Sequence, residues 1–314
     1  MSVEIAELTV RVVARTVAAD SVVIFDLVAN AGGSLASWRP GSHIDVLLPR
    51  GGERQYSLMP PPDGADTGTW RIGVLREEGG RGGSTWLHDE VEVGRTIRVR
   101  GPQNHFAFEP TAETSYLFLA AGIGITPISS MVAAAREAGV GYSLHYSGRS
   151  RSAMALLDTF PEAIAHISDE GSRVDLASLV ASLDPATAIY CCGPARFIEA
   201  VETAAGEHPL HVERFEAKAL AAPVFEGDFE VELALSGETL TVPPDRSILE
   251  VVEDAGVFVL SSCREGTCGT CETPVLEGAV DHRDSILTPV EQQENSMMYI
   301  CVSRAACPRL VLEL

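Results

Sequence analysis

Four cysteines carry the clearest chemistry in this chain. Cys263, Cys268 and Cys271 have the spacing C-x4-C-x2-C, and Cys301 follows 30 residues after the last of them. Two irons bridged by two sulfides need four thiolates arriving from different directions, so one loop supplies three and a distant segment supplies the fourth. Gly266 and Gly269 lie between the loop cysteines, where the backbone must curl in a small space and its amides can point at sulfur. The rivals are a zinc site and four plainly buried thiols. Zinc loops usually space their pairs as C-x2–4-C, which this loop matches poorly. Seven cysteines is an odd count, and Cys191, Cys192 and Cys307 fall outside the set. No basic start with an apolar run opens the chain. Metal or redox use in a cytoplasmic protein is therefore expected, rather than a disulfide framework.

Two further constellations suit phosphate-bearing cofactors. Arg54, Gln55, Tyr56 and Ser57 are consecutive. An Arg can pair with a phosphate, a Tyr ring can flank an isoalloxazine, and a Ser can bond its edge. An ordinary strand can also alternate Arg and Tyr, so the tetrapeptide needs support. It comes from the glycine-rich turn at 79–85, with Arg81, Gly83, Ser84 and Thr85, placed before a helical pattern at 85–88. Such turns expose amides to an anion; a plain surface loop is the rival. Farther on, Gly122, Gly124, Thr126 and Pro127 form G-x-G-x-x-P between a strand pattern and a helix pattern, where a dinucleotide pyrophosphate can rest on amides. Cys192, Gly193 and Pro194 end another strand pattern. Arg149, Ser150 and Arg151 stand where an adenosine ribose would lie, and they could accept a 2′-phosphate.

These residues need three kinds of scaffold. Over residues 1–103, short β-rich runs at 10–17, 22–28, 43–48, 56–59, 70–75 and 96–100 are separated by turn clusters such as 31–33, 49–52 and 60–68. That spacing predicts an antiparallel β-barrel. Over residues 104–220, strand patterns at 116–120, 142–146 and 188–192 alternate with helix patterns at 128–138, 153–159 and 196–205. Alternation of this kind predicts an α/β domain with a parallel sheet. An Ala-rich stretch with Pro223 and Gly227 reads as a linker over 216–228. The last domain, 228–314, opens with a hairpin (229–235 and 238–242, turning at Ser236 and Gly237) and a helix at 248–255. Residues 116–135 lack charge, but Gly122, Gly124 and Pro127 break them, so a membrane span is not expected.

The formal net charge is −21, which argues against nucleic acid and anionic membranes as partners. From Glu226 onward there are 17 acids against five arginines. An acidic shell there would steer the domain to a basic docking face.

The segments 263–271, 275–284 and 301–304 resemble the C-terminal ferredoxin domain of the phthalate dioxygenase reductase family, and are close to the reductase components of vanillate O-demethylase systems. The flavin and nucleotide segments match the same family, as does the segment 101–106, so the resemblance covers nearly the whole chain. It implies a plant-type (β-grasp) α+β ferredoxin fold, FMN rather than FAD, and NADH rather than NADPH. It also implies that Cys192, Gly193 and Pro194 border the nicotinamide, and that Phe215 lies against the flavin. A core Phe and a buried strand-end Cys are the alternatives at those two places. The implied partner is a terminal oxygenase of the Rieske type, met transiently through charge. A cytochrome P450 or separate ferredoxin as acceptor, and a redox sensor with a dead flavin site, are the other readings. A flavin takes two electrons and releases them singly, so it belongs between nicotinamide and cluster. That transfer needs binding residues and cluster ligands, and no catalytic dyad.

Overall fold

A computed structural model describes residues 7–61, 68–218, 220 and 222–314. The opening six residues, most of the 60–68 turn and two positions of the predicted linker lie outside the described residues. The chain forms two compact units, one ending at Glu213 and one spanning Arg214–Leu314.

The first unit opens with a closed barrel. Its strands are β1 (Glu7–Ala19), β2 (Val22–Ala29), β3 (Ser42–Leu47), β4 (Glu53–Met59), β5 (Trp70–Leu75) and β6 (Thr96–Asn104), joined in the order β1-β2-β5-β4-β3-β6. All its pairings are antiparallel. Alternation sets the inside: Val10 and Val12 are fully buried while Thr9 and Arg11 are exposed. Phe25, Leu27, Ile44, Val46, Leu58 and Ile72 fill the same interior. β4 starts at Glu53, so Arg54 and Gln55 sit within the strand and not before it. The helix α1 (Gly83–Glu90) follows β5.

A parallel sheet then follows: β7 (Tyr116–Ala121), α2 (Ile125–Ala138), β8 (Tyr142–Gly148), β9 (Ile164–Ile167), α3 (Leu176–Ala181), β10 (Ala188–Cys192), α4 (Ala195–Ala205) and β11 (Leu210–Glu213), in sheet order β11-β10-β7-β8-β9. β7 is buried at every position, as expected for a central strand covered on both faces. Phe118 and Ala120 pack with α2 on one face; Leu117 and Leu119 pack with α4 on the other. Cys191 and Cys192 point to opposite faces in the same way. The helix expected at 153–159 does not form. Two single 3₁₀ turns, Arg151–Ala153 and Leu157–Thr159, stand there. Leu156 between them has φ 61°, which no α-helix accommodates.

The second unit is a mixed sheet with order β13-β12-β18-β14-β16 and a small β15-β17 pair. It contains β12 (Phe229–Leu233), β13 (Glu238–Val242), α5 (Ile248–Asp254), β14 (Glu272–Glu277), β15 (Val280–Asp281), α6 (Pro289–Glu294), β16 (Met297–Tyr299), β17 (Arg304–Ala305) and β18 (Arg309–Leu312). The β12–β13 hairpin turns at Ser236 and Gly237 as expected, and β18 pairs in parallel with β12. α5 carries a complete capping box between Ser247 and Glu250. The described part of 214–228 holds no helix or strand. It is nonetheless tied down: Lys218 N donates to Ser285 Oγ, Val224 N donates to Asp281 Oδ2, and Phe225 packs on this unit's core. No helix among the described residues is long and apolar enough to cross a membrane.

Candidate flavin, nicotinamide and cluster sites

β4 and α1 bring the first candidate set together. Arg54 Nη2 donates to Arg81 O at 3.2 Å. A methyl group on Gly83 would meet Arg54 Cγ at 2.6 Å, so only glycine lets the α1 N-terminus lie on this side chain. Ser84 Oγ accepts from Glu77 N and Thr85 Oγ1 donates to Gly82 O, which fixes the turn. The result is a cradle of a guanidinium and helix amides that fits a phosphate. Tyr56 on the same strand is half-buried, and burial pushes its hydroxyl pKa upward. Gln55 is placed differently from its neighbours. Its amide donates to Asp45 Oδ1 at 3.1 Å and lies 3.3 Å from His43 Nε2. Asp45 is fully buried, also accepts from Gln103, and is pushed up to about 6 by burial and by Glu53. The Gln55 side chain is thus committed to the barrel wall.

The second set gathers at the carboxyl ends of β7 and β10. A Cβ on Gly124 would stand 2.2 Å from Cys192 O, and one on Gly193 would stand 2.8 Å from Ala121 Cβ. The two loops interlock only because both positions are glycine. Gly122 has φ 56° with open space around it, and leads into α2. Thr126 Oγ1 bonds Ile123 O, and Pro127 sits in the first turn, where no amide is lost. The turn and the α2 amides suit a pyrophosphate. Pro194 caps the start of α4. Arg149 and Arg151 follow β8 and face Asp169 and Glu170, while Ser150 Oγ pairs with Ser152 Oγ.

One residue that the sequence patterns did not single out joins these sets. Glu213, the last residue of β11, accepts from Ser57 Oγ at 3.5 Å. Burial pushes its carboxyl up to about 8, against the Ser57 hydrogen bond. Cys192 is fully buried, and burial, then the nearby Glu213 charge, push its thiol far upward. Ser57, Cys192 and Glu213 therefore bring a barrel strand and two sheet strands to one point. No sequence pattern marks Glu213, because its nearness to Cys192 arises only from the pairing of β10 with β11. Phe215 is 44% exposed and belongs to the second unit.

In the second unit, Cys268, Cys271 and Cys301 are buried and Cys263 is half-buried. The thiols form two pairs: Cys263 with Cys268, and Cys271 with Cys301. Among the described residues no three or more His, Cys, Asp or Glu converge as on a single ion. Two pairs suit two bridged irons with two thiolates each. Amides surround the sulfurs: Glu265 N and Thr267 N reach Cys263 Sγ at 3.3 and 3.4 Å, and Cys263 N reaches Cys268 Sγ at 3.4 Å. The Cys268 contact, aided by Thr267 and Glu265, pushes Cys263 down to about 5. Gly266 has φ 70°, and a Cβ there would stand 2.5 Å from Val302 Cγ2. Asp284, whose role the sequence did not show, is buried behind this loop; Ser285 N beside it donates to Gly266 O at 2.8 Å. Cys307 lies apart, its sulfur bonded to Ala279 N.

Two outcomes follow from these geometries. Gly266→Ala meets both a left-handed backbone and a packed neighbour. The purified variant should lose the broad visible absorption of its iron–sulfur cluster while its flavin bands persist; unchanged absorption would show the loop to be tolerant. Glu213 has a raised pKa in the folded chain, so its neutral form favours folding at low pH, and that contribution fades as pH rises through about 8. Glu213→Gln does not titrate. Its melting temperature should therefore gain on that of the native chain from about pH 5 up to about pH 8 and level off above that. A pH-independent difference would mean that Glu213 ionises freely.

Comparison with known proteins agrees with this arrangement. Residues 231–306 match the family described as the 2Fe-2S iron-sulfur cluster binding domain. Phenoxybenzoate dioxygenase subunit beta of Ectopseudomonas oleovorans is 44% identical, with 98% of each chain covered. An intact type IV self-sufficient cytochrome P450 monooxygenase is 41% identical with a TM-score of 0.90; the match takes in 98% of this chain but only 41% of that one. Phthalate dioxygenase reductase, described as a modular structure for electron transfer from pyridine nucleotides to [2Fe–2S], is 33% identical with a TM-score of 0.68 and 98% of both chains covered. The chain belongs to the phthalate dioxygenase reductase family of iron–sulfur flavoprotein oxidoreductases.

Proposed function

We propose that this chain is the NADH-dependent reductase component of an oxygenase system, carrying electrons through FMN and a [2Fe–2S] cluster to a Rieske-type terminal oxygenase. The single observation that carries the reading is the pairing of four thiols inside a shell of amide donors, on a chain that also holds two anion cradles. The division of labour follows the chain: 1–103 for the flavin, 104–220 for the nicotinamide and 228–314 for the cluster, with 216–228 as linker. A flavin held there would supply the exchange between a two-electron hydride donor and a cluster that takes electrons one at a time.

The protein's own groups bind and orient. Arg54, Arg81 and the α1 amides hold a flavin phosphate, and one phosphate is what this single cradle fits, which favours FMN over FAD. Tyr56 flanks the ring and Ser57 bonds its edge. Gly122, Gly124, Thr126 and Pro127 shape the pyrophosphate turn, and Arg149, Ser150 and Arg151 border the adenosine. Cys192, Gly193 and Pro194 set the wall beside the nicotinamide, and Glu213 holds Ser57 in place. Cys263, Cys268, Cys271 and Cys301 ligate the irons.

The partner is met through charge. The second unit holds most of the acidic excess of a chain with net charge −21, which suits transient docking to a basic face. A soluble cytoplasmic protein fits both this reading and the free thiols. The relative named as a dioxygenase subunit supports an oxygenase acceptor. The likeness to a P450 monooxygenase supports the same relay with a different acceptor.

Cys268→Ser separates the relay from its first half. NADH should still reduce the flavin, and ferricyanide should still be reduced, while cytochrome c reduction falls by about two orders of magnitude or more. Undiminished cytochrome c reduction would remove the cluster from the pathway.

A further inference from the structure

Residues 257–262 lead from α5 into the cysteine loop without forming helix or strand. Their side chains alternate. Val257 and Val259 pack on the core of the second unit, while Phe258 and Leu260 do not join it. Phe258 is 85% exposed, more than any other large apolar side chain among the described residues. Leu260 is half-buried. A single exposed apolar side chain is ordinary on a protein surface; the surroundings of this pair are not. Cys263 is the least buried of the four cluster thiols. Leu260 precedes it by three residues and Phe258 by five, so chain length alone keeps their Cα atoms within about 11 and about 18 Å of it. The segment is also held at both ends. Val257 N donates to Val252 O at 3.1 Å. Arg264 Nη2 donates to Glu253 Oε1 at 2.6 Å, and Ser261 Oγ lies 3.5 Å from the same oxygen. An anchor held in place beforehand loses little entropy on docking. Lastly, its rim is acidic. Residues 250–265 hold Glu250, Glu253, Asp254 and Glu265 against Arg264 alone. Arg264 is paired with Glu253, and the nearby Arg246 with Asp254.

We propose that Phe258 and Leu260 form the apolar contact on which the electron acceptor docks, a protein whose own face is basic around an apolar centre. The inference rests on reading the four thiols as the exit of the relay, and it deepens that reading. Charge and apolar contact do different work here. The acidic surface speeds encounter and weakens with salt, but diffuse charge does not hold one orientation. An aromatic side chain buried at the middle of an interface holds the complex, and salt does not screen it. An acidic rim around an apolar anchor fits a partner with the opposite rim and a matching apolar patch. Docking there sets the acceptor beside the most accessible cluster ligand. The step moves one electron, supplied by NADH, and makes or breaks no bond.

The probe is cytochrome c, a small basic haem protein, reduced by the full chain with NADH. Phe258→Ala should raise the KM for cytochrome c by about tenfold or more, the factor expected for a phenyl group that is buried on docking. Phe258→Leu keeps most of the apolar area and should recover most of the loss. NADH-driven ferricyanide reduction and the spin count of the reduced cluster should match those of the native chain. Added salt should weaken the native chain and Phe258→Ala by the same factor, because the lost contact carries no charge. A native KM in Phe258→Ala would overturn the docking contact; loss of cytochrome c reduction in Cys268→Ser would then still uphold the cluster as the electron source. Slower bleaching of the cluster by NADH in Phe258→Ala, with no acceptor present, would also overturn it, since the side chain would then serve this chain's own flavin unit. Cytochrome c reduction undiminished in Cys268→Ser would overturn the relay itself.

Discussion

Residues 263–271 contain no helix or strand, so the shape that gathers the thiols is imposed from outside the loop. The buried Asp284 carboxylate accepts from Ile286 N at 3.0 Å, Leu287 N at 2.7 Å and Ser303 Oγ at 3.4 Å, and so pins its own turn. Ser285, next in the chain, bonds Gly266 O, and Val302, next to Cys301, packs where a Gly266 side chain would be. One clamp thus positions the three-cysteine loop and the distant fourth cysteine together. Arg304 extends it. This buried cation donates to Arg246 O at 2.6 Å and Pro243 O at 3.0 Å and lies 5.0 Å from the Phe229 ring, tying β17 to the turn before α5. A buried charge held by carbonyls is costly to disturb, because removing either side leaves the other unpaired.

The first unit depends on close approach in a different way. Close glycine contacts, among them Gly83 on Arg54, Gly124 on Cys192 and Gly193 on Ala121, bring the candidate anion-binding turns against β4, β10 and β7. Ser57 and Glu213 then join β4 to β11. The electrostatics of the site follow from burial more than from charge partners: burial is the first cause of the raised pKa values of Glu213, Cys192 and Tyr56.

Much of this was legible in the sequence, for reasons that can be traced. The cysteine spacing and the G-x-G-x-x-P turn are local patterns whose geometry leaves few alternatives, and the barrel strands are short runs separated by clear turn clusters. The hairpin at Ser236 and Gly237 and the opposite facing of Cys191 and Cys192 follow from period and turn chemistry. What stayed hidden is long-range. Asp284 and Glu213 look like any acid until the fold brings Gly266 or Ser57 to them. Gln55 looked like its neighbours Arg54 and Tyr56, but strand alternation turns it to Asp45. The expected helix at 153–159 failed because one left-handed residue, Leu156, interrupts a pattern that composition alone favours. β14 to β18 are two to six residues long, too short for most of them to show a period.

The proposed relay requires that the four thiols hold two irons that receive electrons singly. The most direct measurement is a spin count: anaerobic reduction of the full chain, then low-temperature electron paramagnetic resonance alongside iron and sulfide analysis. The expected result is about one cluster spin per chain, with two irons and two sulfides bound. A folded chain that carries zinc, or that shows no cluster spin after reduction, would contradict it.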